Sequence, residues 1–265
     1  MPKIYLQGGF GNVLFQLVHY LSLRNNGHNP VFVDTLTKKN LTTRLLGWKI
    51  HDKIYLDIFQ DLGVTVQGQS FLKTAAIMIL GKLSQRLKTP VFSTYFFLDL
   101  YEDTYLTQSN HVFGYFQSKR YLEPKQNEIL QIANALQKRY MFKGLEPYIA
   151  VHYRYGDSVW AREYEAYYTA VKQNIQPNNS VIVLTDSKER AKEFFKDLEV
   201  SSLQILSNTP LEDFSYMVSA KELYCAPSTF SWWAAQCVSS TKSVHLPHFL
   251  ENKLGFYGDT ELKLK

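Results

Sequence analysis

Three ionisable residues leave one short stretch of this chain. His152 and Arg154 are two residues apart, which puts them on one face of an extended backbone, and Asp157 follows just past Gly156. A guanidinium at the carboxyl end of a strand suits a phosphate, because its planar fork makes paired, charge-assisted hydrogen bonds. Arg154 and Asp157 can equally pair with each other as a structural salt bridge, and at this level both readings stand. A second set, Ser228, Thr229 and Ser231, lines a predicted helix start directly after a predicted strand. Free backbone amides, the positive end of the helix dipole and hydroxyl donors meet there. That is the chemistry of a diphosphate cradle, and also that of plain N-caps. Asp186 follows another predicted strand, where it can meet a nucleotide's ribose or base. Asp186 with Glu189 also fits a capping box. Gly8, Gly9, Gly11 and Asn12 form a glycine turn between strand and helix. Such a turn lets amides approach a phosphate or sugar, and Asn12 also fits a helix N-cap.

These residues need elements to hold them. Tyr148–Tyr153 reads as a buried strand, with Ile149, Val151 and Tyr153 on one face and Ala150, His152 and Arg154 on the other. Near the N-terminus, Lys3–Gln7 reads as a strand, Asn12–Asn26 as a helix stopped by Gly27, and Pro30–Asp34 as a second strand. This is a βαβ unit. Lys38–Gly68 is irregular. Phe71–Lys88 has helical spacing and carries Lys73, Lys82, Arg86 and Lys88. It fits either a half-buried helix or one lying on a membrane surface. Strands are expected at Val91–Leu100 and His111–Phe116, then a long helix at Lys125–Met141 with Ile129, Ile132, Ala133 and Leu136 on one face. The domain boundary is placed at its start, giving domains 1–124 and 125–265. Beyond the His152 strand come helix Trp160–Ile175, strand Ser180–Thr185 and helix Asp186–Glu199, with Ala191, Phe194, Phe195 and Leu198 inward. Strand Leu203–Leu206, helix Leu211–Ala220, strand Leu223–Ala226 and helix Phe230–Val238 follow. Strand–helix alternation implies parallel sheets, hence an α/β protein.

Composition narrows the class. The chain has 265 residues, 45% hydrophobic and 20% charged, as in a globular protein of one large or two ordinary domains. Its 18 Tyr, 17 Phe and 4 Trp supply flat faces for sugars or bases, as well as core volume. A net charge of +5 suits an anionic nucleotide or a loose attraction to anionic lipid. No dense basic run with interleaved aromatics points to nucleic acid. Cys225 and Cys237 read as buried free thiols in a reducing compartment, with no metal-ligand spacing. MPKIYLQGGFGN reads as strand and turn rather than as a signal peptide, and no segment has the length of a membrane span.

GGFGNVLFQL, GYFQSKRY, VHYRYGD, LTDS, DFSYM and PSTFSWWAA, in this order, make the chain resemble the bacterial-type inverting alpha-1,2-fucosyltransferases from Ile4 to Gln236. The resemblance implies a GT-B fold of two Rossmann-like domains with parallel sheets facing a cleft, the N-terminal one on the acceptor side. It implies GDP-β-L-fucose as donor, no required metal or other cofactor, and inversion to an alpha linkage on a glycan hydroxyl, usually the 2-OH of a galactose. Arg154 matches the residue expected on the donor's β-phosphate, His152 the motif histidine near the nucleotide, and Asp157 the motif aspartate. Ser228, Thr229 and Ser231 would hold the diphosphate, with Gly9, Gly11 and Asn12 facing it from the other domain and Asp186 or Ser187 at the guanosine. Arg154, Asp157 and Asn12 are the catalytic candidates, with Asp157 and Glu163 considered as the base. Two positions depart from the pattern: Tyr155 stands where a second Arg is usual, and Val13 where Gln is usual. The expected setting is cytoplasmic, peripheral to the inner face of the membrane, with a galactose-containing acceptor and no nucleic acid.

Overall fold

The computed structural model describes residues 1–34, 55–69, 71–96, 109–155, 165–239, 242–258 and 261–264. The chain forms two compact units, Met1–Ile132 and Ala133–Lys265.

In the first unit, β1 (Lys3–Tyr5), α1 (Phe10–Asn25) and β2 (Val31–Asp34) make the βαβ unit that the glycine turn implied. They are followed by α2 (Leu56–Asp61), β3 (Val66–Gly68), α3 (Phe71–Leu87), β4 (Thr94–Phe96) and β5 (His111–Phe113). Then come α4 (Lys119–Leu122), a 3-10 turn (Glu123–Lys125) and α5 (Gln126–Tyr140), inside which the two units divide. The sheet order is β3-β2-β1-β5-β4, and every pair is parallel. α1 starts at Phe10, because Gly9 takes the extended N-cap position without any side-chain cap bond. Asn12 therefore sits in the first turn of the helix rather than at its cap. The strand expected at Val91–Leu100 begins only at Thr94. Val91 and Thr94 exchange backbone hydrogen bonds of 2.9 Å across a tight turn, and residues 97–100 lie outside the described residues. In the irregular stretch Lys38–Gly68, α2 and β3 form, and residues up to 54 lie outside the description.

The second unit runs β6 (Ile149–Tyr153), α6 (Glu165–Asn174), β7 (Ser180–Thr185), α7 (Lys188–Phe195) and β8 (Ser202–Leu206). It continues with α8 (Pro210–Ser219), β9 (Glu222–Tyr224), α9 (Thr229–Gln236), β10 (Ser243–Leu246), α10 (His248–Leu254) and β11 (Glu261–Leu264). Its sheet is parallel throughout, in the order β11-β10-β9-β6-β7-β8. β6 is buried along its whole length. Ile149, Val151 and Tyr153 pack with Val181, Val183, Ala191 and Phe195, as their alternation required. Each large apolar side chain so buried contributes about 1.5–3 kcal/mol before conformational entropy is subtracted. Trp232 and Trp233 are both fully buried, and Trp232 Nε1 donates to the Gly255 carbonyl at 2.8 Å. Cys225 and Cys237 are buried free thiols, and burial pushes both up in pKa.

Both sheets reverse direction of build. The chain leaves β6 toward β7 and β8, then returns to the other side of β6 with β9. In the first unit the reversal falls between β1 and β5. Ligands of open parallel sheets bind outside the carboxyl ends of the strands at such a switch point.

Candidate functional site

The second unit's switch point gathers most of the residues singled out from the sequence. β6 delivers His152 and Arg154, and the chain after β9 turns through Pro227 into α9. Ser228 is the N-cap of α9: its Oγ accepts from the Ser231 amide at 3.1 Å. His152 Nδ1 is hydrogen-bonded to Ser231 Oγ across the gap. The same oxygen accepts from the Ala226 amide at 3.1 Å and lies 3.1 Å from Ser228 Oγ. Burial, and then the charge of Arg154, push His152 down to about 3, so its imidazole is neutral at neutral pH. His152 and Ser231 are buried, so they fix the start of α9 from behind. Ser228 and Thr229, half-buried, form its outer edge. The Tyr168 hydroxyl from α6 clamps the end of β6, donating to the His152 carbonyl at 3.0 Å and accepting from the Arg154 amide at 3.3 Å.

Arg154 and Tyr155 emerge next to the end of β7. Asp186 Oδ1 accepts from the Tyr155 amide at 2.8 Å, and Oδ2 lies 4.0 Å from Arg154 Nε. Asp186 is thus an inter-strand brace rather than a cap. The N-cap of α7 is Ser187, whose side chain makes no cap bond and whose amide donates to Thr185 Oγ1 at 3.0 Å. Asp157 and Glu163 lie outside the described residues.

Two residues that sequence reasoning did not assign belong to this site. Arg190, in the first turn of α7, places its guanidinium carbon 3.6 Å from the centroid of the Tyr155 ring. A cation therefore stands over position 155 although residue 155 is not an arginine. A cation at a helix start opposes the helix dipole, so the position is favourable when an anion lies nearby. Only the departure at Tyr155 hinted that a cation had to come from elsewhere. The second is Asp213 in α8, present in the sequence as part of DFSYM. It accepts from Asn208 Nδ2 at 3.0 Å, burial raises its carboxyl to about 6, and the nearby charge of Asp186 adds to the rise, which is what links it to the end of β7. Shifted carboxyls of this kind concentrate at functional sites.

Gly9, Gly11 and Asn12 belong to the first unit and form a set of their own. Gly8 has φ +80, and a Cβ added there would lie 2.4 Å from Asn12 Nδ2. Asn12 Oδ1 accepts from Gln117 Nε2 at 2.7 Å, which ties the glycine turn after β1 to the segment after β5 across that sheet's switch point. The fully buried Gln16 holds the end of β1 through its Nε2, which donates to the Gln7 carbonyl at 3.0 Å. Val13 is core.

Two parallel-sheet α/β units with these strand orders make a GT-B fold. The chain is similar in fold to E. coli heptosyltransferase WaaC with ADP. The TM-score is 0.51 at 11% identity, over 99% of this chain and 92% of that one. The fucosyltransferase NodZ from Bradyrhizobium gives a TM-score of 0.43 at 14% identity, over 89% of this chain and 92% of NodZ. At 11% identity the likeness to WaaC is one of fold. No protein-family model matches the sequence, and no curated protein does.

Proposed function

We propose that the chain is an inverting glycosyltransferase that moves L-fucose from GDP-β-L-fucose to the 2-OH of a galactose in a glycan, forming an alpha-1,2 linkage. The ordered sequence segments support the donor and the linkage. The observation that carries the reaction class is the meeting of Arg154, Arg190 and the braced start of α9 beside one switch point.

In this reading the acceptor oxygen attacks the anomeric carbon opposite the diphosphate. A carbon–oxygen bond forms, the bond to the β-phosphate oxygen breaks, and its electron pair leaves with GDP. One displacement inverts the centre. Arg154 and the α9 amides stabilise the charge that grows on the diphosphate, with Arg190 as the second cation. Protein cations fill this role, so no divalent metal is required and activity persists in EDTA. The acceptor proton passes to a carboxylate, for which Asp157 and Glu163 remain the candidates. The sequence resemblance adds Gly9, Gly11 and Asn12 as donor-facing residues.

Tyr155 favours a second reading of the donor, because the cation has moved from the strand end to α7. The same chemistry would then run on another GDP-sugar. A panel of GDP-sugars with galactose-ending acceptors, followed by NMR of the product, tests both readings. An alpha-1,2-fucosyl product supports the first, and turnover with a different GDP-sugar alone supports the second. GDP binding without turnover of any donor would make the chain a nucleotide-binding protein and remove the catalytic proposal.

A further inference from the structure

α3 is apolar on its solvent side as well as its packed side. Leu72 is 80% exposed, Ile79 68%, Leu83 42% and Leu87 56%. Their spacing confines them to about 80° of arc on a helix. Met78 and Ser84 face inward, at 5% and 0% exposure. Core packing accounts for the inner face and leaves the outer one unexplained. The segment from Phe71 to Pro90 contains Lys73, Lys82, Arg86 and Lys88 and no Asp or Glu. All four cations are exposed.

A second observation comes from the turn that follows. Phe92 is 84% exposed and has φ 46, with Ser93 at φ 55. The paired hydrogen bonds between Val91 and Thr94 close this turn, and Thr94 Oγ1 donates to the Phe92 carbonyl at 3.4 Å. A bulky aromatic residue in left-handed backbone is rare, and Gly or Asn would turn the chain with less strain. Here the turn holds an aromatic ring out in solvent.

We propose that the outer face of α3, together with Phe92, lies on a bilayer of anionic phospholipid. The leucines, Ile79 and the Phe92 ring enter the boundary between headgroups and acyl chains, and the four cations meet lipid phosphates. An apolar stripe on a segment whose own charges are all positive is complementary to such a surface. No helix among the described residues is long and apolar enough to cross a membrane, so the contact is in-plane.

The test is co-sedimentation of the full chain with phosphatidylcholine vesicles, with and without phosphatidylglycerol. Binding is expected on the anionic vesicles, with little on phosphatidylcholine alone and loss as salt rises. Each cation near such a surface changes partitioning about fivefold. Lys82→Glu with Arg86→Glu should therefore cut binding by at least about 25-fold. Ile79→Glu with Leu83→Glu should abolish it, and these side chains are exposed, so the fold should survive. Phe92→Gly should melt at or above wild type, because Gly accepts the backbone, and yet bind more weakly. Wild type that ignores anionic vesicles overturns the proposal, as does binding unchanged in all three variants. So does a dimer in sedimentation velocity that Ile79→Glu with Leu83→Glu dissociates, since a second copy would then cover the face.

Discussion

His152 on β6 and Ser231 in α9, the helix that follows the neighbouring strand β9, are joined side chain to side chain. The bond ties the strand that carries Arg154 to the helix start that carries Ser228. Removing either partner leaves a buried polar group without its mate, so Ser231→Ala should cost about 1–3 kcal/mol of stability. A cycle of His152→Ala, Ser231→Ala and the double variant, measured by urea unfolding, should show a coupling of about 0.5–3 kcal/mol. Additive losses would show that the two residues do not act as a pair.

Stability against pH should carry two opposed signatures from the same site. His152 lies at about 3 in the folded chain against an ordinary 6.5. Its contribution is complete above the unfolded value and is lost as pH falls below it. Asp213 is raised from 3.8 to about 6, so its contribution is present below 3.8 and is lost as pH rises through 6. Melting of Asp213→Asn beside wild type separates the two. The variant should gain on wild type between pH 4 and pH 7, and a constant difference would place Asp213 in an ordinary environment.

The cation over Tyr155 can be moved back to the strand. Arg190→Ala should lower donor turnover by roughly tenfold to a hundredfold, the scale of one hydrogen bond to a charged group. Tyr155→Arg added to Arg190→Ala should recover most of the loss in kcat/KM. Failure of Arg190→Ala to change kcat/KM would leave the Tyr155–Arg190 contact as surface packing.

The first unit has its own test at Gly8. Its positive φ and the 2.4 Å approach of Asn12 Nδ2 leave no room for a side chain. Gly8→Ala should destabilise by more than about 1 kcal/mol, because both the backbone and the Asn12–Gln117 bond resist it. Thermal melting equal to wild type would contradict this reading of the turn.

Much of the architecture was legible in the sequence where burial leaves a period. Tyr148–Tyr153 and Ser180–Thr185 read as strands because their apolar faces are continuous, and the alternation of strands and helices gave parallel sheets. The end of the second unit was not legible. β10 carries a buried His245 whose Nε2 bonds Glu222 Oε1 at 2.5 Å, so its polar residue is explained only by a neighbouring strand. Asp186 looked like a cap because D-x-x-E is local, yet the carboxylate is taken by the Tyr155 amide 31 residues away. Arg190 was invisible for the same reason: nothing near it in sequence says that it lies on Tyr155. The motif residues His152, Arg154, Ser228, Thr229 and Ser231 do come together, because the first two lie at the end of β6 and the others follow β9, the strand beside it across the switch point.

The measurement closest to the central claim is GDP release from GDP-β-L-fucose in EDTA, with and without a galactose-ending acceptor. Release stimulated by the acceptor is expected, and Arg154→Ala should lower it on the order of 10²–10³ while melting changes little. No stimulated release from wild type that still binds GDP, or near-normal turnover in Arg154→Ala, would contradict it.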